Sequence, residues 1–422
     1  MASARMDKAL LDNAPMDQAD KNLRLIQLCD VAASGIRMPG FCFDRGVLER
    51  IDLRGAILTS STFEHADLSG ADLSGANLDG CRFTGAILTN VNFTNASARN
   101  ASANEAMLDG AILTGSNWTG SDLRSISAVG ATFDSADLSG CNISASLIRQ
   151  SSFKNTKCGG SDLTSATIER STLVGADFSA SDFSGARISH NDFGKGNLSA
   201  VNFRQAQTNE CSFRDATLEK VRFQGADLQG ADFEGANLKG AVWQDAGLKT
   251  TAERVRLVGV DLSGQSLINV RLCLADLKNA ILTKCDCTKM DASGADFSDV
   301  NMEECKLDGA NLQDALLYRV TLNRASLRGA LLTNAVWKDV LRPPDISEQV
   351  SAREAMMEGV DLRYRNLAGA DLSGAQLSRA RLAGCNLAGA KLTETVMLNT
   401  DIHLSVGLSM VVIARMRDNN QC

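Results

Sequence analysis

Three histidines, twelve cysteines and a dense set of aspartates are the residues of this 422-residue chain whose types suit chemistry. A nucleophilic or acid–base centre needs a nucleophile, a base and an orienting group brought together. His65, His190 and His403 are far apart in sequence, and nothing near any of them resembles such a set. Cys285-x-Cys287, beside Asp286, is the nearest approach to a metal motif, but no second cysteine pair or histidine follows at zinc spacing. Gly194-Lys195-Gly196 lacks the rest of a phosphate-binding loop. The sequence offers no catalytic constellation, cofactor motif or metal site, and it reads as a non-enzyme.

The elements that would have to position such groups account for this poverty. From Met38 to Leu248 the chain counts in fives: of 43 centre positions, 38 are Leu, Ile, Phe, Met or Trp, the exceptions being Ala98, Ala103, Ala128, Cys158 and Thr208. The residue two before each centre is small. Between Ile51 and Ala246, 37 of 40 such slots hold Ala, Ser, Thr, Cys, Gly or Val, with Ile51, Ile126 and Asn191 departing. Residues two apart in an extended stretch point to one side, so both slots face inward. Gly often stands two after the centre, as at Gly55, Gly70 and Gly75, where it turns the chain with positive φ. A period of five is neither 3.6 nor 2, which excludes an α-helix and leaves a β-solenoid. Cys81, Cys141, Cys211, Cys285, Cys305 and Cys385 fall in the small slot and Cys158 and Cys287 at the centre. Those eight therefore read as buried thiols in a reducing compartment. Trp118, Trp243 and Trp337 are absorbed in the same way.

Ala66-Asp67-Leu68-Ser69-Gly70, Ala71-Asp72-Leu73-Ser74-Gly75, Ala76-Asn77-Leu78-Asp79-Gly80 and Ala370-Asp371-Leu372-Ser373-Gly374 resemble the pentapeptide-repeat family, whose pattern is A-[DN]-[LF]-x-x. The resemblance covers positions 38 to 402 and implies an all-β fold, a right-handed quadrilateral β-helix with four pentapeptides per coil. At about 4.8 Å between coils, such a rod has roughly 17 coils and is on the order of 80 Å long. Short helical caps are expected at its ends.

The count divides the chain. Residues 1–37 read as an N-terminal capping segment, with Leu23, Leu25, Ile26 and Leu28 forming a short amphipathic helix. Residues 38–248 are a first solenoid section, and 249–261 a looped-out break where the register slips by one residue. Residues 262–337 are a second section, and 338–356 a loop marked by Arg342-Pro343-Pro344-Asp345. A third section spans 357–404. Residues 405–422 form a C-terminal cap or tail, where Met410–Ala414 suits a cover for the last coil or a homodimer contact.

A net charge of −7 is mild for this length and argues against general binding to nucleic acid or an anionic membrane. The excess acid lies in residues 38–248, with 17 Lys and Arg against 24 Asp and Glu, but spread around all four faces. No apolar run is long enough to span a bilayer, and no signal peptide is legible, so a cytoplasmic location is expected, export by a specialised route aside. Recognition then falls to loops on a rigid scaffold. Arg254, Arg256, Arg342, Pro343 and Pro344 are the candidate partner-binding residues. The expected role is a scaffold for protein partners. Long members of the resembled family imply a secretion-system effector or an adaptor that loads effectors. The alternative is a DNA mimic that binds a type II topoisomerase and protects gyrase.

Overall fold

The computed structural model describes residues 21–243, 252–341, 343–346 and 350–408. Two compact units divide the chain, one ending at Val221 and one beginning at Arg222. Each is a β-solenoid built from the same five-residue step.

Ala71–Gly75 shows what each position does. Ala71 and Leu73 are buried, and Asp72 between them bridges Asp52 on one neighbouring coil and Asn92 on the other. The Leu73 N–H donates to the Asn92 carbonyl (2.8 Å), while the Asp72 N–H donates the other way, to Ile51 (2.9 Å). Ser74 and Gly75 then turn the corner, closed by Ala76 N–H to the Leu73 carbonyl at 3.0 Å. The third of the four turn residues has positive φ, 65° at Gly75. Arg50, Gln150 and Lys195 take the same conformation at their corners (φ 51–57°). A non-glycine residue holds it at a cost of order 1–3 kcal/mol, so the ladder bonds on either side must enforce it.

In the first unit the parallel bridges run from Asn22↔Cys42 to Asn197↔Thr217, always twenty residues apart, so four five-residue sides close each coil. One side is regular enough to form a four-stranded parallel sheet of β1 (Ser127–Val129), β2 (Leu147–Arg149), β3 (Thr167–Glu169) and β4 (Arg187–Ser189). In the second unit β5 (Leu316–Tyr318) pairs with β6 (Val336–Lys338) in the same parallel register. Among the described residues there is no helix, and none long and apolar enough to cross a membrane.

Twenty-residue stacking puts like on like inside. Phe43, Phe63 and Phe83 stack face to face at 4.9 and 5.1 Å, and Phe193 on Phe213 at 5.1 Å. Ala98 lies one coil before Trp118 in the same column, both fully buried, and the missing bulk of one accommodates the surplus of the other. The small slots also solve a hydrogen-bonding problem. Ser61, Ser121 and Ser161 each donate a hydroxyl to the centre carbonyl 23 residues back (2.8–2.9 Å). Cys81, Cys141, Cys285 and Cys385 point their thiols at the equivalent carbonyls (2.8–2.9 Å).

Three boundaries read from sequence need correction. The amphipathic helix at Leu23–Leu28 is absent, and the 1–37 cap does not hold beyond residue 21. Leu23 and Leu28 donate to Cys42 and Val47 across the ladder, and Leu28, Ala33 and Met38 are buried centres. Bulky Ile26, Ile36 and Phe41 in the small slots disguised this register; Ile36 and Phe41 are nevertheless buried. The 249–261 break is also narrower. Ala252, Val255 and Leu257 are fully buried and Arg256 bridges Asp232, 24 residues away instead of twenty. The slip is therefore a four-residue insertion between Trp243 and Ala252. Finally, the described residues of 338–356 do not form a projecting loop, with Pro343, Pro344, Ile346 and Val350 all buried. Leu331↔Ser351 and Val336↔Met356 keep the twenty-residue count, so no residue is extra. At the C-terminal end the coil continues to Val406, paired with Asn386. Residues 1–20 and Met410–Ala414, with the dimer contact expected of the latter, lie outside the described residues.

Candidate partner-binding surface

Most polar groups of the repeat are occupied in making it. At Asp67, Asp72, Asp137, Asp162 and Asp182 one carboxylate oxygen accepts the N–H two residues on, at 2.8–3.1 Å. Asn77, Asn117 and Asn142 do the same with their amide oxygens at 3.0–3.2 Å. This Asx turn steers the chain into its corner, and it explains why Asp and Asn interchange before the centre. The acid of residues 38–248 is thus turn chemistry first.

The groups singled out for chemistry remain scattered. His65 and His190 occupy positive-φ corners, and His403 stands beside one at Leu404. His190 pairs with Glu210 at 3.1 Å in solvent. Cys285 and Cys287 both face the core, and Cys305 donates its thiol to Cys287 Sγ (3.5 Å). Its own thiol hydrogen bond to Cys285, the neighbouring Cys305 sulfur and complete burial hold Cys287 protonated, far above the usual thiol range. Burial likewise pushes Cys81, Cys141 and Cys211 up to about 12. Among the described residues no group of three or more His, Cys, Asp or Glu is placed to hold a metal ion.

The five candidate partner-binding residues do not form one site. Arg254 is an exposed corner (φ 55°), and its N–H is bound to the Cys273 carbonyl at 2.9 Å. Arg256 lies on the coil wall, where its guanidinium bridges Asp232 (3.1 Å) and Glu234 (3.2 Å). Both belong to the solenoid and not to a loop. Pro343 and Pro344 are buried, which corrects their expected exposure, and Arg342 lies outside the described residues. Counting in fives puts Arg342 at a centre, a slot that cannot bury a charge. Ile346 in the same segment is fully buried.

Here the repeat fails in a way that leaves a feature. Asp345 and Arg365 are the only charged residues in small slots between Ile26 and Ser405 among the described residues, and they lie twenty apart, on successive coils. Asp345 accepts the Asn366 N–H at 2.9 Å, and both charges act on the buried Cys385 thiol beyond them. The side does not close, and a cleft of about 310 Å³ opens between Arg324, Arg328, Pro343, Pro344, Asp345 and Arg365. A second hollow of about 410 Å³ shares Pro343 and Arg365 and adds Leu341, Arg363 and Tyr364. Tyr364 is 76% exposed, and its ring lies over Gly384, where a Cβ would meet Cδ1 at 2.5 Å. Arg324, Arg328, Arg365 and Tyr364 escaped the sequence reading. The available signal was a charge in a slot that elsewhere holds Ala, Ser, Cys or Val.

A family model described as pentapeptide repeats matches residues 43–75, 76–115, 113–144, 148–185, 161–197, 197–235, 226–248, 256–288, 295–334 and 355–393. Among solved structures the chain is similar to HetL, a pentapeptide repeat protein involved in heterocyst differentiation regulation from the cyanobacterium Nostoc sp. Strain PCC 7120. The identity is 26% over 53% of this chain and 86% of that one, with a TM-score of 0.28. A pentapeptide repeat protein from the Arabidopsis thaliana thylakoid lumen is 32% identical over 26% of this chain and 76% of its own (TM-score 0.24). QnrB1, a plasmid-mediated fluoroquinolone resistance protein, is 24% identical over 48% and 90% (TM-score 0.28). No curated protein matches the sequence. With the family pattern matched over most of its length, the chain belongs to the pentapeptide-repeat family.

Proposed function

We propose that this protein is a non-enzymatic scaffold that binds a protein partner on the second unit, at the side where the repeat breaks. The observation that carries the reading is the Asp345 and Arg365 pair: charges stand at two repeat positions that elsewhere hold small buried residues, Asp345 exposed and Arg365 half-buried, and a cleft opens beside them. A repeat selected only for shape has no use for either. Strain and uncompensated charge concentrate at functional sites. The more specific role is that of a bacterial secretion-system effector or effector adaptor, cytoplasmic until exported; its support is the resemblance to long members of the family.

A photo-crosslinking residue at Tyr364, compared with one at the exposed corner Asn90, tests this in cells of the source organism. Protein adducts from position 364 and none from 90 are expected. Adducts from 90 alone would overturn it. The DNA-mimic reading draws on the acid of residues 38–248, which the Asx turns already explain. A gyrase supercoiling assay should show neither inhibition nor protection at micromolar protein.

A further inference from the structure

Resting on that reading, we propose that the cleft binds an acidic peptide segment of the partner, with a carboxylate held between Arg328 and Arg365 and an apolar residue in the adjoining hollow. The cleft walls carry three guanidiniums, Arg324, Arg328 and Arg365, against one carboxylate, Asp345. Arg324 has a partner, Glu304, at 3.8 Å. Arg328 uses its backbone N–H on Asp308 and Arg365 its backbone N–H on Leu362, but neither guanidinium is held in an ion pair among the described residues. Arg365 is half-buried in a slot made for alanine. A guanidinium taken partly out of water and outside any ion pair among the described residues is costly, and with Asp345 the one carboxylate lining the cleft against three guanidiniums, a bound anion offsets that cost.

The planar fork of arginine fits a carboxylate through two parallel hydrogen bonds. Asp345 in the wall disfavours a doubly charged phosphate more than a singly charged carboxylate. The neighbouring hollow, with Leu341 and Tyr364 exposed and Pro343 at its base, suits an apolar side chain next to the acid. A cleft of about 310 Å³ is at the small end of ligand sites, room for one or two side chains and not a cofactor.

The test is fluorescence anisotropy on the full chain with a labelled peptide of three glutamates followed by leucine and phenylalanine. Its all-glutamine counterpart and inorganic phosphate serve as comparators. The glutamate peptide should bind, and the glutamine peptide should bind at least about tenfold more weakly. Arg328→Gln and Arg365→Ala should each weaken binding by a similar factor. Arg365→Ala restores the residue type of the slot, so its melting temperature should hold or rise, which separates lost binding from lost fold. Equal binding of both peptides, or indifference to both substitutions, overturns the assignment. Phosphate displacing the peptide at concentrations below the peptide's own Kd would assign the cleft to phosphate instead. Adducts at Tyr364 in cells without binding of the acidic peptide would remove this inference and leave the scaffold reading standing.

Discussion

Phe63 lies between Phe43 and Phe83, ring to ring at 4.9 and 5.1 Å with planes tilted by only 6° and 9°, and it is 1% exposed. Phe63→Ala removes a buried ring from a column that cannot collapse, because the coils on either side are fixed by their own ladder bonds. Burial loss for Phe→Ala runs about 3–5 kcal/mol. Each stacked pair adds about 0.5–1.5 kcal/mol beyond area. The expected cost is therefore at the upper end, about 4–5 kcal/mol. Phe63→Leu keeps most of the bulk, loses both stacks, and should cost about 1–3 kcal/mol. A solenoid couples mainly neighbouring coils, so the damage should stay local. Native-state hydrogen exchange is the assay. The amides of Phe43, Phe63 and Arg82, bonded to Thr62, Arg82 and Ser61, should lose protection, and that of Ile188, about six coils from Phe63 and bonded to Gln207, should not. A cost below about 1 kcal/mol, or uniform loss of protection along the first unit, would refute both the packing argument and the locality.

Further outcomes follow from the same interior. Trp243 donates its indole N–H to Gln265 at 2.7 Å, whereas the Trp337 indole N–H has no acceptor among the described residues. By urea unfolding, Trp243→Phe should cost about 1–3 kcal/mol and Trp337→Phe much less. A thiol reagent at pH 8 should modify half-buried Cys29 and Cys42 and spare Cys81, Cys141 and Cys211, whose thiols are held at about 12, until the chain unfolds. Mass mapping of the adducts checks it. Hydrogen bonds from Arg124 and Arg363 hold Asp122 and Asp361 below the usual carboxylate value of 3.8, and at Asp79 those from Arg99 and Ser97 outweigh burial. Depressed carboxyls contribute stability that is complete above their unfolded value and is lost as pH falls through the folded one. Melting temperature should thus be flat from pH 7 to 5 and decline below about 4.

The interior was legible because one number, five, dictates it. Alternating large and small inward residues, a corner after each centre and the disappearance of eight cysteines into the wall all follow from the count. The 23-residue carbonyl contacts of Ser61 or Cys81 were not legible, since they join residues only through the stacking of coils. The N-terminal coils were misread because Ile26, Ile36 and Phe41 break the small-slot rule while the ladder persists. The Pro343 segment was misread for the opposite reason. Proline, a strong loop signal, sits there inside a coil that loses its regular side but not its residue count. The cleft itself needed the stacking of residues 345 and 365, which no local pattern displays.

The central claim is that the break in the repeat is there to bind. The double substitution Asp345→Ala with Arg365→Ala returns both slots to the residue type found in the rest of the wall. Crosslinking from Tyr364 in that background, alongside the melting temperature, tests the claim most directly. The account predicts an equal or higher melting temperature together with loss of the protein adducts formed by the parent. Undiminished adducts from the more regular chain would contradict it.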